Sequence, residues 1–269
     1  MAAAKRIWFA TLLWAALAVA LAFLVLPVAA IFVDAGPREL IRGLGNPVAT
    51  DALWLSLKTT TAAIVLIVAV GTPAAWLLAT RRFRGRSVVV TLIELPLVLP
   101  PAVAGIALLV AFGPQGLFGG VLQSAGVQLV LQTAGVVVAL TFVAAPFYLR
   151  QAQSAFEAVD RSWLEASRTL GAGEARTFAR VGVPAAVPGL AAGLALAWGR
   201  ALGEFGATLM FAGSFRGITQ TAPLAIYDEF ATDLNSALAL SAVLVAISGA
   251  LLLSVKLVAG PKGTADAAR

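Results

Sequence analysis

The sequence predicts an all-α integral membrane protein with six transmembrane helices and both termini on the cytoplasmic side. Three observations carry this reading. Of the 269 residues 60% are hydrophobic and 12% charged, with a mean hydropathy of +0.94, so lipid is the main solvent of the chain. The apolar residues fall into stretches long enough for helical crossings of about 20 residues each. The basic residues behind the formal charge of +6 collect at the ends of those stretches, where membrane topology explains them better than a nucleic-acid partner does.

The first crossing is the uncharged run Ile7 to Val33, preceded by Lys5 and Arg6. A signal peptide is the competing reading, but its apolar core would span about 7 to 15 residues, so the helix is expected to stay. A turn-rich link from Asp34 to Asp51 contains Gly36-Pro37, Gly43, Gly45 and Asn46-Pro47. The second crossing is expected from about Ala52 to Thr80, with Lys58 near its start and able to snorkel outward. Arg81, Arg82, Arg84 and Arg86 then anchor a loop on the cytoplasmic side.

No charge occurs from Leu95 to Leu149, which is too long for one crossing and is expected to hold the third and fourth, with an outer loop within Gly113 to Gln132. Pro96, Pro100 and Pro101 cannot all sit in an unbroken helix. The resulting kink either faces the protein interior or pathway, because irregular backbone at membrane depth needs cover, or serves structure alone. The fourth crossing is expected at about Thr133 to Gln153. The fifth is expected to begin near Pro184 and to carry Arg200 and Glu204, four residues apart and therefore on one helix face. These two either belong to the pathway or fix helix packing. A polar external link, Gly213 to Asn235, holds a loop element near Pro223 to Phe230. The sixth crossing is Leu234 to Val255, followed by a short polar tail with no room for a regulatory domain. The whole of 1–269 reads as one transmembrane domain, and no internal repeat is evident.

Arg161 to Pro184 is the longest polar run between two crossings. Its first part favours a helix from Asp160 to Leu170, with Asp160 and Ser162 both able to cap the first turn and Glu165 at capping-box distance from Ser162. Gly171 ends it. Trp163, Ala166 and Leu170 make an apolar stripe beside Arg161, Glu165 and Arg168. Such a helix suits docking into a groove of a partner; lying on lipid headgroups is the alternative. The longer pattern favours docking. Glu165-Ala166-Ser167, three residues, Gly171, nine residues, then Val181-Gly182-Val183-Pro184 resembles the Glu-Ala-Ala loop of ATP-binding-cassette importer permeases. Ser167 stands for the second Ala, Val181 for Ile and Val183 for Leu.

The chain has no Cys and no His, which removes thiolate and imidazole metal sites, disulfides and Cys or His catalysis. It has no glycine-rich phosphate loop ending in Lys-Ser or Lys-Thr, so it is not itself the ATPase, and an embedded hydrolase finds no nucleophile system. Energy must come from a partner or a gradient.

The whole chain resembles a six-helix type I importer permease. Leu95 to Gly105 (LPLVLPPAVAG), Ala201 to Gly213 (ALGEFGATLMFAG) and Thr219 to Tyr227 (TQTAPLAIY) are similar to its molybdate/tungstate branch. The resemblance implies a permease subunit in a prokaryotic inner membrane, working as two copies with two cytoplasmic ATPase subunits that hold Mg-ATP. A periplasmic or lipid-anchored binding protein would deliver molybdate. No metal or cofactor is implied in this chain, since an oxyanion is held by hydrogen-bond donors. The coupling loop would be about 156–183, with Trp163, Glu165, Ala166, Ser167, Leu170, Gly171 and Pro184 at the docking site. Pro96, Pro100, Pro101, Arg200, Glu204 and Thr208 are the candidates for the pathway or gate. A sulfate or thiosulfate permease of the same superfamily is the near alternative. A gradient-driven anion carrier is the distant one, and it leaves the docking loop unexplained.

Overall fold

The computed structural model describes residues 2–34, 36 and 45–258. Pro37 and Gly43 of the first link, the side chains of Lys5 and Arg6 and the tail after Val258 lie outside the described residues. Among the described residues all regular structure is helical. The elements are α1 (Ala2–Asp34), α2 (Pro47–Thr80), α3 (Arg86–Val98), α4 (Pro101–Phe112), α5 (Gly119–Ser124), α6 (Thr133–Glu157), α7 (Arg161–Thr169), α8 (Glu174–Leu202), α9 (Gly206–Ala212), α10 (Ala222–Phe230) and α11 (Leu234–Val258).

Helix α2 starts earlier than Ala52. Asn46 accepts a hydrogen bond from Val48 N (2.9 Å) and Pro47 occupies the first turn, so a dipeptide that reads as a turn signal is here a cap and a helix start. This places Lys58 deeper along the helix, where its side chain is exposed.

The segment expected as the third crossing is broken rather than kinked: the chain direction turns by 117° between α3 and α4. Pro96 is accommodated inside α3, whereas Leu99 and Pro100 are extended, with ψ of 131° and 136°, and Pro101 restarts the helix. The residue before a proline is pushed out of the helical region, and two successive prolines remove two N–H donors, which locates the break. Both halves nevertheless advance along α6 in order. Glu94 pairs with Arg150, Ala104 shares a buried cluster with Val143, and Leu108 shares one with Ala139. Counted as one span, the bent pair brings the helices long and apolar enough to cross a membrane from five to six among the described residues.

Helix α8 does not begin at Pro184. It runs from Glu174 and passes through a π turn at Phe178–Gly182, where Val183 N bonds to Phe178 O. The wider turn accommodates Pro184, which lacks the N–H for a normal turn and whose ring would crowd the carbonyl of Arg180.

Helices α2, α6 and α8 enclose the main core, with Ile64, Ile67, Leu140, Tyr148, Phe156 and Ala197 all buried. Between helices in lipid the apolar drive is weak, and close packing of small residues takes its place. Gly189 shows this: a Cβ there would run into Ala155 of α6. Helix α1 packs against α11, and none of its described side chains is buried. Residues Ala222 to Phe230, expected as part of a loop, form α10, because Pro223 presets its first turn and Ser56 Oγ of α2 accepts from Ala222 N at 2.7 Å.

Candidate functional site

The polar run after α6 folds into a short helix with both ends closed. Asp160 caps α7 by accepting from Ser162 N at 2.8 Å, and these hydrogen bonds from Ser162 hold its carboxyl below the ordinary value. The cap is thus Asp160 and not Ser162, so Glu165 closes no capping box and its carboxylate is left available. At the other end Ala172 N bonds to Ser167 O (3.1 Å) and Gly171 N to Arg168 O (2.9 Å), the paired bonds of a Schellman motif. Gly171 has φ +78°, the left-handed conformation that closure requires.

This helix is fastened by one side and open on another. Leu164 is buried in the core with Phe156 and Val159, while Trp163 is 58% and Leu170 88% exposed and Ala166 is exposed between them. The apolar stripe expected for docking is therefore uncovered. Ser167 Oγ lies 3.0 Å from Thr177 Oγ1 and ties α7 to the start of α8, as does Arg168 with Glu174 at 3.3 Å. Glu165 lines a cavity of about 380 Å³ with Arg82, Arg161, Arg168 and Glu157, and it has no ion-pair partner among the described residues. Pro184 is exposed beyond the π turn.

The second set of candidates gathers around two helix breaks. Helix α8 ends at Leu202, so Arg200 and Glu204 do not share a helix face as expected; their contact spans the break at Gly203. Arg200 Nη2 stands 2.6 Å from Glu204 Oε2, and Glu204 Oε1 accepts from Ala207 N at 2.7 Å. One buried carboxylate thus neutralises the end of α8 and caps α9. The break in the third crossing lies against this turn. A Cβ on Gly206 would stand 2.7 Å from Pro101 Cβ, and one on Gly105 would stand 2.8 Å from Ala207 O. Thr208 is fully buried and its hydroxyl has no hydrogen-bond partner among the described residues. Pro101, Glu204 and Gly206 are thereby brought into one region. Pro96 lies in α3 and Pro100 in the break itself. The residues expected at the docking site are not part of this region: Pro184 and Arg200 are separated along α8 by about 24 Å.

Several polar contacts carry no signature in the sequence. Glu94 and Arg150 pair at 2.8 Å, Arg216 meets Asp51 at 3.0 Å, and Asp228 accepts from Ser214 Oγ (2.9 Å) and Gln220 Nε2 (2.8 Å). Glu94 and Arg150 could have been singled out as the two charges that flank the uncharged stretch, but nothing in their spacing says that they meet. Among the described residues no three acidic, His or Cys side chains form a metal centre; guanidinium, hydroxyl and backbone N–H groups are the available chemistry.

Residues 71–259 match the family described as binding-protein-dependent transport system inner membrane component. The chain is 43% identical over 235 residues to the molybdenum transport system permease protein of Mycobacterium tuberculosis, covering 87% of this chain and 88% of that one. It is 41% identical to a probable molybdenum ABC transporter permease protein of Haloferax volcanii, covering 87% of this chain and 85% of that one. Its fold resembles that in a crystal structure of a bacterial ABC transporter involved in alginate import. That match has a TM-score of 0.74 at 16% identity and covers 95% of this chain and 96% of the other. The family match over most of the chain, together with relatives above 40% identity and the shared helical architecture, shows that this protein belongs to the binding-protein-dependent transport system inner membrane components, multi-pass permeases with the type I ABC importer fold.

Proposed function

We propose that the chain is the permease subunit of an ATP-driven importer of molybdate, and of tungstate as a chemically similar tetrahedral dianion. The observation that carries the substrate is the 43% identity to a molybdenum permease over nearly the whole length of both proteins. Two copies enclose the route, both termini lie in the cytoplasm, and residues 1–269 form one domain. Two ATPase subunits, which hold Mg-ATP, dock on the coupling loop at about 156–183, and a binding protein delivers the anion from outside.

The exposed stripe of Trp163, Ala166 and Leu170 supports the docking role, since a closed, capped helix with one apolar face left open suits a groove. Leu164 seats that helix on α6, and Ser167 and Arg168 tie it to α8. A push on α7 therefore reaches two membrane helices at once. Along α8 it arrives at Arg200, Glu204 and Thr208, beside the Pro100–Pro101 break, where we place the gate. Alternating access follows from these breaks turning as the inner helix ends move together.

The test is ATPase activity of the complete complex in liposomes with molybdate-loaded or sulfate-loaded binding protein. Stimulation by the molybdate-loaded form alone is expected. Stimulation by the sulfate-loaded form alone would transfer the substrate to sulfate. Absence of any associated ATPase would favour a gradient-driven carrier.

A further inference from the structure

Three aromatic rings from three helices meet beside α7. Trp76 of α2 stands edge-on to Phe156 of α6, with ring centroids 5.2 Å apart and planes at 82°. It lies 5.4 Å from Phe178 of α8, and Phe156 and Phe178 are 6.2 Å apart. Rings at such distances fix one another's orientation as well as their contact. Helix α7 bears on this triad twice. Leu164 is buried in the same cluster as Phe156, and Ser167 Oγ lies 3.0 Å from the hydroxyl of the buried Thr177, the residue before Phe178.

The π turn of α8 shapes the seat of the indole. Phe178 and Gly182 are its first and last residues, and both face Trp76: a Cβ on Gly182 would stand 2.5 Å from Cζ3 and 2.8 Å from Cη2 of that ring. The indole thus fills the place that a side chain at Gly182 would take. A second contact joins the same two helices farther on, where Trp198 Nε1 of α8 donates to Thr60 Oγ1 of α2 at 3.3 Å. Thr60 to Trp76 and Gly182 to Trp198 span the same number of residues, so α2 and α8 run antiparallel in matched register and are joined at two points about 24 Å apart. Pro73 interrupts the backbone bonding of α2 between these points, and the hydroxyl of Tyr148 in α6, 2.7 Å from Thr72 Oγ1, braces the helix there. The far contact lies within one turn of Arg200.

We propose that Trp76 is a positioning residue of the transport cycle: its indole, seated in the π turn of α8, makes α2 and α8 move as one pair when α7 is displaced. Without the indole, a push on α7 reaches α2 only through α6. Helix α2 matters because its Ser56 accepts from the first N–H of α10, so its position is passed on to that helix. The assignment rests on the importer reading above and adds a third helix to the two already tied to α7.

The test uses the complete complex with ATPase subunit and binding protein in proteoliposomes, read as molybdate uptake per ATP hydrolysed at matched amounts of assembled complex. Trp76→Ala is expected to keep the ATPase subunit bound and hydrolysing while this ratio falls about tenfold, within the range of a coupling between two sites. Trp76→Phe, which keeps a ring in the triad, is expected to retain most of the ratio. Gly182→Ala drives a methyl group into the indole and is expected to lower the ratio as well. In the double variant Trp76→Phe, whose smaller ring lacks the colliding edge, is expected to restore it. An unchanged ratio in Trp76→Ala would overturn the proposal and reduce the triad to packing. A loss in Gly182→Ala that Trp76→Phe does not relieve would also overturn it, and this pair decides alone if Trp76→Ala does not assemble. Release of the ATPase subunit from assembled Trp76→Ala would overturn it by making Trp76 a support of the docking surface. If the unmodified complex takes up no molybdate, the importer reading itself fails; if it does and the variants keep its ratio, Trp76 alone is misassigned.

Discussion

Gly171 shows how one residue sets the geometry of the polar loop between α6 and α8. Its φ of +78° lets the chain turn so that Ala172 and Gly171 return their N–H groups to α7, and nothing lies within 4 Å of where its Cβ would be. Space is available but the conformation is wrong for an L side chain. Gly171→Val should therefore cost about 1 to 2 kcal/mol locally, by left-handed strain and not by collision. Membrane insertion is expected to be unchanged and ATPase-coupled uptake to be lost, which proteoliposome transport with matched protein amounts will measure. Normal uptake would remove Gly171 from the coupling machinery. Glu204 is the corresponding residue in the membrane: one carboxylate serves Arg200 and the first turn of α9 together.

At the scale of elements, the chain repeatedly stabilises an interrupted helix with a group from elsewhere. Helix α10 begins with Ala222 N bonded to Ser56 Oγ of α2, both buried. Ser56→Ala would leave that N–H without a partner, and the expected loss is about 1 to 3 kcal/mol. Thermal unfolding of the purified protein should show a lower midpoint, while Ser56→Thr, which keeps a hydroxyl, should recover most of it. An unchanged midpoint in Ser56→Ala would mean that α10 is held by its packing on α11 and not by this cap. The same logic governs the broken third crossing, whose second half is clamped on α9 by Gly105 and Gly206. These contacts cover one side of the break, whereas Val98, Pro100 and Pro101 are exposed on the other.

For the molecule as a whole, the division of surfaces has consequences. Large apolar side chains such as Phe23, Val70 and Val110 are exposed where lipid is the solvent, whereas Trp163 and Leu170 are exposed on a helix outside the crossings. Lipid explains the first group, and the proposed docking of an ATPase subunit accounts for the second. Trp163→Ser combined with Leu170→Ser should leave the folded permease intact and lower its copurification with the ATPase subunit at least about tenfold, as expected when two anchors of a small interface are truncated. Retained copurification would shift the docking surface to the charged cavity around Arg82, Arg161 and Glu165.

What could be read from the sequence alone was whatever depends on neighbours along the chain. Long apolar runs specify crossings, the Asp160-to-Gly171 pattern specifies a capped helix, and consecutive prolines specify a break, because desolvation, capping and proline sterics act within a few residues. Even there, local rules left choices. Asn46-Pro47 was a helix start and not a turn, Asp160 outcompeted Ser162 as the cap, and Gly203 ended the helix that was expected to carry Glu204. Only the tertiary structure decided that Glu94 meets Arg150, that Ser56 caps Ala222 and that Pro101 rests on Gly206. Such contacts depend on the register between helices distant in sequence, which is set by small-residue packing over the whole bundle and leaves no periodic trace in any one segment.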